Sequence, residues 1–164
     1  DAMGARGELI RAGTNWDVIE DNRRQMIKEC PDVYFEITPT VSIMNVYHLP
    51  DFHKDWIDRG LLEPQNVRMN ILTYPTEYRI QIIPPKERKK FIDKYTEHIK
   101  WIGDNFGDGA AKRGFESVLD FLQQENYENL IPDFIDRNTP LDKLRGESLY
   151  QVAPELEFFR DYEY

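Results

Sequence analysis

Two apolar stretches, each closing in polar residues and a proline, organise the first half of the chain. Val33 to Pro50 reads VYFEITPTVSIMNVYHLP, and Val67 to Pro85 reads VRMNILTYPTEYRIQIIPP. Their β-branched and aromatic content predicts strands over Val33–Met44 and Val67–Tyr74. A third, shorter strand is expected over Tyr78–Ile83, where Tyr and Ile alternate with Arg and Gln. Pro39 marks a bulge or an edge in the first strand, since it has no amide hydrogen to donate.

Helical spacing fills the intervals. Trp16, Ile19, Met26, Ile27 and Cys30 predict a helix over about Asn15–Cys30, opened by Thr14 with Asp17 as a capping box and closed by Pro31. Pro50 suits the first turn of a short helix, Asp51–Arg59, that stops at Gly60. Pro84-Pro85 should start a long amphipathic helix to about Asn105, with Phe91, Ile92, Tyr95, Ile99 and Ile102 on one face. After a Gly103–Gly109 loop, a helix over about Ala110–Asn126 carries Phe115, Val118, Leu119 and Leu122. One more is expected over Leu130–Asn138, followed by a turn and an irregular tail. The opening segment, Asp1 to Gly7, reads as a loop leaving a strand that has been cut away.

A helix between the two main strands implies a right-handed crossover and parallel pairing. The expected class is therefore α/β: a partial (β/α) barrel of two or three mainly parallel strands with flanking helices. Residues 1–85 would form the partial barrel. Residues 86–164 would form a helical C-terminal region packed on it as one globular unit. In such folds the carboxyl ends of the strands face the ligand.

Composition narrows the function classes. The chain has 164 residues, 40% hydrophobic and 31% charged, enough for one real core. A net charge of −9 argues against nucleic acid and against an anionic membrane surface as partners. No run approaches the roughly 18 apolar residues of a membrane span. The single cysteine, Cys30, excludes an internal disulfide and fits a reducing, cytoplasmic compartment.

Several candidate motifs read better as plain structure. Gly107-Asp108-Gly109 with Gly114 follows a helix rather than a strand, so a helix–helix connection is favoured over a phosphate loop. His48 and His53 sit across a proline without metal-ligand spacing and are expected at a turn or helix surface. Lys86, Arg88, Lys89 and Lys90 read as a solvated helix face. Ser42 lacks the flanking glycines of a nucleophile elbow. Cys30 is expected to pack as a core thiol. Glu36, Thr38, Thr40, Ser42 and Asn45 alternate with Ile37, Val41 and Ile43. That alternation serves either a half-buried strand or an inward set lining a barrel cavity, and periodicity leaves both open.

Four segments in order carry a resemblance to a known family. They are RGELIRAGTNW (Arg6–Trp16); TVSIMN with the following Leu49-Pro50 (from Thr40); Tyr74-Pro75 through Ile80, closing at Ile83-Pro84; and LDKLRG (Leu141–Gly146) followed by Pro154-Glu155-Leu156. Together they resemble the C-terminal half of twitch or SPASM-like radical S-adenosylmethionine (SAM) proteins. Asp1 stands where that family ends its fourth barrel strand with an acid, and Ala2 replaces the usual glycine. The CxxxCxxC loop that holds the family's 4Fe-4S cluster is missing, as are the auxiliary-cluster cysteines after Pro85.

The resemblance implies a truncated piece of a radical SAM oxidoreductase or modifying enzyme, inactive alone, with no cofactor in this chain. SAM and the 4Fe-4S cluster would belong to the full-length parent. Asp1 and Arg11 would approach the SAM ribose and carboxylate, with Ser42 and Asn45 beside its methionyl or adenosyl portion. Thr38, Thr40, Asn70 and Tyr74 would line the substrate cavity. The alternative is a non-catalytic interaction module that kept the half-barrel architecture. Either way, an open half barrel is expected to be covered by a homodimer.

Overall fold

The computed structural model describes residues 1–162. Seven α-helices, several 3-10 turns and one pair of strands make up those residues. The strands are short: β1 is Thr40–Val41 and β2 is Asn70–Ile71. They run parallel, with Thr40 opposite Asn70 and Val41 opposite Ile71, and a parallel bridge joins Ile37 to Val67 upstream. The parallel pairing read from the crossover is therefore present. Helix α3 (Leu49–Asp58) makes that crossover.

The strands are shorter than expected for two local reasons. Pro39 has no amide hydrogen and interrupts the ladder between Ile37 and Val41. After Val41 the chain curls at once, with the Asn45 and Val46 amides both donating to the Ser42 carbonyl. The expected third strand is absent. Tyr78–Ile83 lies instead in 3-10 turns over Thr76–Tyr78 and Ile80–Ile82, which bury Ile80, Ile82 and Ile83 completely. The class is α/β, mostly helical, with a single two-stranded sheet.

The helical stripes of Phe91–Ile102 and Phe115–Leu122 fall where expected, whereas the cap before Trp16 differs and the apolar stripe behind it is not buried. Helix α2 (Trp16–Glu29) is capped by Asn15, whose side chain accepts the Val18 amide, and it ends before Pro31. Thr14 instead hydrogen-bonds back to the Arg11 carbonyl. Helix α4 (Pro85–Phe106) buries Arg88, Phe91, Tyr95, His98 and Ile102, a 3–4 spacing along one face. It packs on α5 (Ala110–Leu122), which buries Ala111, Phe115, Val118 and Leu122. The Gly107–Gly109 link between them is the helix–helix connection expected.

Two helices depart from expectation. The opening segment forms α1 (Gly4–Ile10) rather than a loop. A Cβ on Gly7 would come within 2.6 Å of the Ala2 carbonyl oxygen, so this turn closes only around glycine. Helix α6 (Ile131–Arg145) continues seven residues past Asn138, through Pro140, to Gly146 in the left-handed conformation. The short α7 (Leu149–Val152) and a 3-10 stretch, Pro154–Tyr162, close the described chain.

One buried cluster spans both halves, from Leu9 and Val41 through Phe91 and Phe115 to Phe134 and Phe159. Two cations fasten it from within. Arg6 on α1 is buried and forks onto the Glu155 carboxylate at 2.5 and 2.9 Å, and it also donates to the Met44 and Val152 carbonyls. Arg88, expected on a solvated face, is also buried. It donates to the carbonyls of Gln81, Ile83, Gln124 and Glu125, tying the turn before α4 to the segment after α5. Cys30 is exposed at the end of α2 rather than packed in the core, because α2 buries none of its residues.

Candidate functional site

A cleft of about 320 Å³ opens at the carboxyl edge of the parallel pair. Its floor comes from the residues that leave β1 and β2, Ser42, Met44 and Leu72. Helix α1 and the loop behind it supply Leu9, Ile10 and Arg11, and α6 closes the far side with Asn138, Leu141 and Arg145. Placement beyond the carboxyl ends of parallel strands is where open α/β sheets bind ligands.

The Asp1 carboxylate ties the near wall together. Its Oδ1 accepts the Thr40 backbone amide at 2.7 Å. Its Oδ2 accepts Arg11 Nε at 2.7 Å, with Arg11 Nη2 at 2.6 Å. Below it, Asn45 is fully buried and makes three bonds. Its Nδ2 donates to the Asp1 carbonyl at 2.8 Å and to the Thr40 carbonyl at 2.9 Å, while Oδ1 accepts the Ser42 amide at 2.8 Å. Both backbone groups of Thr40 on its outer side are thus met by side-chain partners, so the β1 edge is sealed where it enters the cleft.

Polar groups remain available to a ligand. Ser42 Oγ accepts the Met44 amide at 3.3 Å and keeps its own proton to donate. The Tyr78 hydroxyl donates to Asn138 Oδ1 at 3.2 Å, and its lone pairs remain. Burial raises the Tyr78 phenol above its ordinary value, so it stays protonated at neutral pH. Arg145 donates one Nη1 bond to the Leu9 carbonyl at 3.3 Å; its Nε and Nη2 lie beyond that contact.

Of the residues singled out from sequence, Asp1, Arg11, Thr40 and Ser42 line this cleft. Asn45 lies beneath it as the buried brace. Thr38, Asn70 and Tyr74 are exposed and stand outside its lining, contrary to the cavity positions expected of them. Thr38 lies toward the amino end of the pair, away from the cleft. Asn70 pairs through its backbone with Pro39, and Tyr74, 83% exposed, sits at the rim beside the lining residue Pro75.

Sequence reasoning missed the α6 wall. Asn138, Leu141 and Arg145 fall at i, i+3 and i+7, a single helical face, and that spacing was there to be read. Ending the expected helix at Asn138, just before Pro140, hid it.

The histidines also differ from expectation. His53 is buried, not at a surface, and contacts His98 at 2.9 Å between Nδ1 and Nε2. His48 is half-buried and accepts the Met3 amide on Nε2 at 3.2 Å. Neither lines the cleft. Among the described residues no group of three or more His, Cys, Asp or Glu is placed to hold a metal ion. No helix among them is long and apolar enough to cross a membrane. Comparison with protein-family models, with curated proteins and with solved structures finds no match for this chain.

Proposed function

We propose that this chain forms part of the SAM and substrate cavity of a radical SAM oxidoreductase or modifying enzyme. On this reading the parallel pair represents the last strands of a (β/α) barrel, and the chain is inactive without the cysteine-bearing remainder. One observation carries the reading: Asp1, Arg11, Thr40 and Ser42 converge on a single cleft at the carboxyl edge of parallel strands. Arg11, Thr40 and Ser42 belong to segments that resemble the family, and Asp1 stands where that family ends its fourth strand with an acid.

The two groups the family uses fit this chain differently. A 4Fe-4S cluster needs three thiolates. The chain has one cysteine, Cys30, exposed at the end of α2, so the cluster has no seat on its residues. SAM fits better. Arg11 spends Nε and Nη2 on Asp1 and keeps Nη1 for a ligand carboxylate, and the Ser42 hydroxyl can donate to a polar atom above the β1 end. SAM held there would bring the family's radical chemistry only with the cluster supplied by the rest of the longer protein. The residues here would orient it: Asp1 holds the Arg11 fork rigid, and Asn45 fixes Asp1 to the strand.

The test is the coding sequence upstream of Asp1 and the protein it specifies. A CxxxCxxC loop there is expected. The longer protein, loaded with iron and sulfide without oxygen, should bind SAM, and Arg11→Ala should weaken that binding about tenfold. A stop codon immediately upstream, or SAM affinity indifferent to both Arg11→Ala and Ser42→Ala, would refute the reading.

A further inference from the structure

The α6 side of the cleft has a chemistry of its own. Arg11 and Arg145 face it with two guanidinium groups against the single Asp1 carboxylate, and Asp1 is already bonded to Arg11. Two guanidinium groups and one carboxylate thus line the cleft, with the Glu147 carboxylate 3.9 Å from Arg145, in a chain whose net charge is −9. Apolar side chains make up much of the remaining lining: Leu9, Ile10, Met44, Leu72, Pro75 and Leu141.

Arg145 is the cation with the most capacity left. It reaches the Leu9 carbonyl with Nη1 alone, and its nearest carboxylate, Glu147, is 3.9 Å away, beyond hydrogen-bond length. The polar pair beside it is already oriented. Asn138 is buried, with Nδ2 donating to the Phe134 carbonyl at 2.7 Å and Oδ1 taken by the Tyr78 hydroxyl. Neither side chain competes for the guanidinium. The Leu9 contact holds the Arg145 fork across from α1, so less ordering is needed when an anion arrives.

We propose that this end of the cleft is an anion subsite for the substrate, selective for a small amphipathic carboxylate. Arg145 would receive the carboxylate, and the apolar walls would cover the body of the molecule. The inference rests on the cleft being a ligand site, as proposed above, but it concerns the end remote from Asp1 and does not require SAM.

The probes are phenylpropionate and its uncharged amide, phenylpropionamide, titrated calorimetrically into the chain at neutral pH. The acid should bind about tenfold more tightly than the amide, because only the acid gains a charge-assisted pair. Arg145→Gln, at an exposed helix end, should erase that preference while circular dichroism stays unchanged. Arg113→Gln on α5, which removes the same charge away from the cleft, should leave the preference intact. Equal binding of acid and amide, binding of neither, or an equal loss in Arg113→Gln would overturn the proposal. Failure of the longer protein to bind SAM would refute the family reading but leave the acid–amide preference standing, so the two can fail separately.

Discussion

His98 Nε2 and His53 Nδ1 meet at 2.9 Å inside the core, and a proline carbonyl decides which of them donates. Pro64 O lies 2.9 Å from His53 Nε2 and can only accept, so His53 carries its proton there. His53 Nδ1 is then bare, and His98 Nε2–H donates to it. Phe115 and Trp101 pack around both rings. The pair is neutral by construction.

This neutrality makes the fold acid-sensitive. Burial is the main cause that lowers His53 to about 4 and His98 to about 3, with His53, Lys94 and Lys54 adding to the effect on His98. Burial, then the Arg6 charge, lowers His48 to about 4. As pH falls, protons bind the unfolded chain first. The stability contributed by the neutral rings is complete above about 6.5 and is lost as pH drops toward those folded values. Each histidine should remove about 1.4 kcal/mol per pH unit inside that window. Urea midpoints should fall between pH 7 and 5 at constant slope, and His98→Phe should shrink the fall. Midpoints that do not move over this range would contradict the assignment.

The Arg6–Glu155 fork joins α1 to the far end of the described chain, and both side chains are only 8% exposed. Removing one partner leaves the other buried and unpaired. Arg6→Met should therefore cost about 3–5 kcal/mol of unfolding free energy. The pair itself contributes far less than that. Arg6→Met with Glu155→Leu should recover most of the loss, since two apolar chains of similar volume need no partner. A double variant as unstable as the single one would show that the Met44 and Val152 carbonyls, not the ion pair, set the cost.

Helix stripes and the parallel crossover were legible because each rests on local spacing. The Phe91–Tyr95–Ile102 face, the Phe115–Leu122 face and the Pro50 start all fall where the sequence predicts them. What escaped reading depends on contacts between distant residues. Ile80, Ile82 and Ile83 look like an alternating strand, but the turns that hold them are stabilised by Arg88 reaching from α4. The same long-range demand turned a presumed surface arginine inward. On the site, Asp1, Arg11, Thr40 and Ser42 were singled out in the sequence and line the cleft, whereas the α6 wall required knowing that Pro140 does not stop the helix.

Asn45 is the point where the site and the fold share one side chain. Its amide serves the Asp1 carbonyl, the Thr40 carbonyl and the Ser42 amide at once. Asn45→Ala would strand buried donors and acceptors and should cost about 2–4 kcal/mol. It should also free Asp1 and Arg11 to move. Asn45→Asp keeps Oδ1 for Ser42 but places an acceptor against the two carbonyls, so it should be no milder. Hydrogen exchange at the Ser42 and Thr40 amides tests this directly. Protection in Asn45→Ala equal to that of the parent would show that Asp1 holds the β1 end without the brace.

Self-association is expected through the exposed apolar residues of α2. Helix α2 buries no residue, yet it carries Val18, Ile19, Met26 and Ile27 at 36–54% exposure, and Val33 and Tyr34 continue the patch. Soluble monomers rarely leave a contiguous apolar face of this kind uncovered. A two-fold dimer would lay the patch against its own copy, since a self-complementary surface satisfies both partners with one contact. The expected outcome is a concentration-dependent dimer in sedimentation equilibrium at micromolar protein. Ile27→Glu should shift it to monomer, because a charge at the patch would be desolvated on association. The substitution lies on an exposed helix face, so the thermal midpoint should barely change. A 19.5 kDa monomer at every concentration would refute the dimer, and a dimer untouched by Ile27→Glu would place its interface elsewhere.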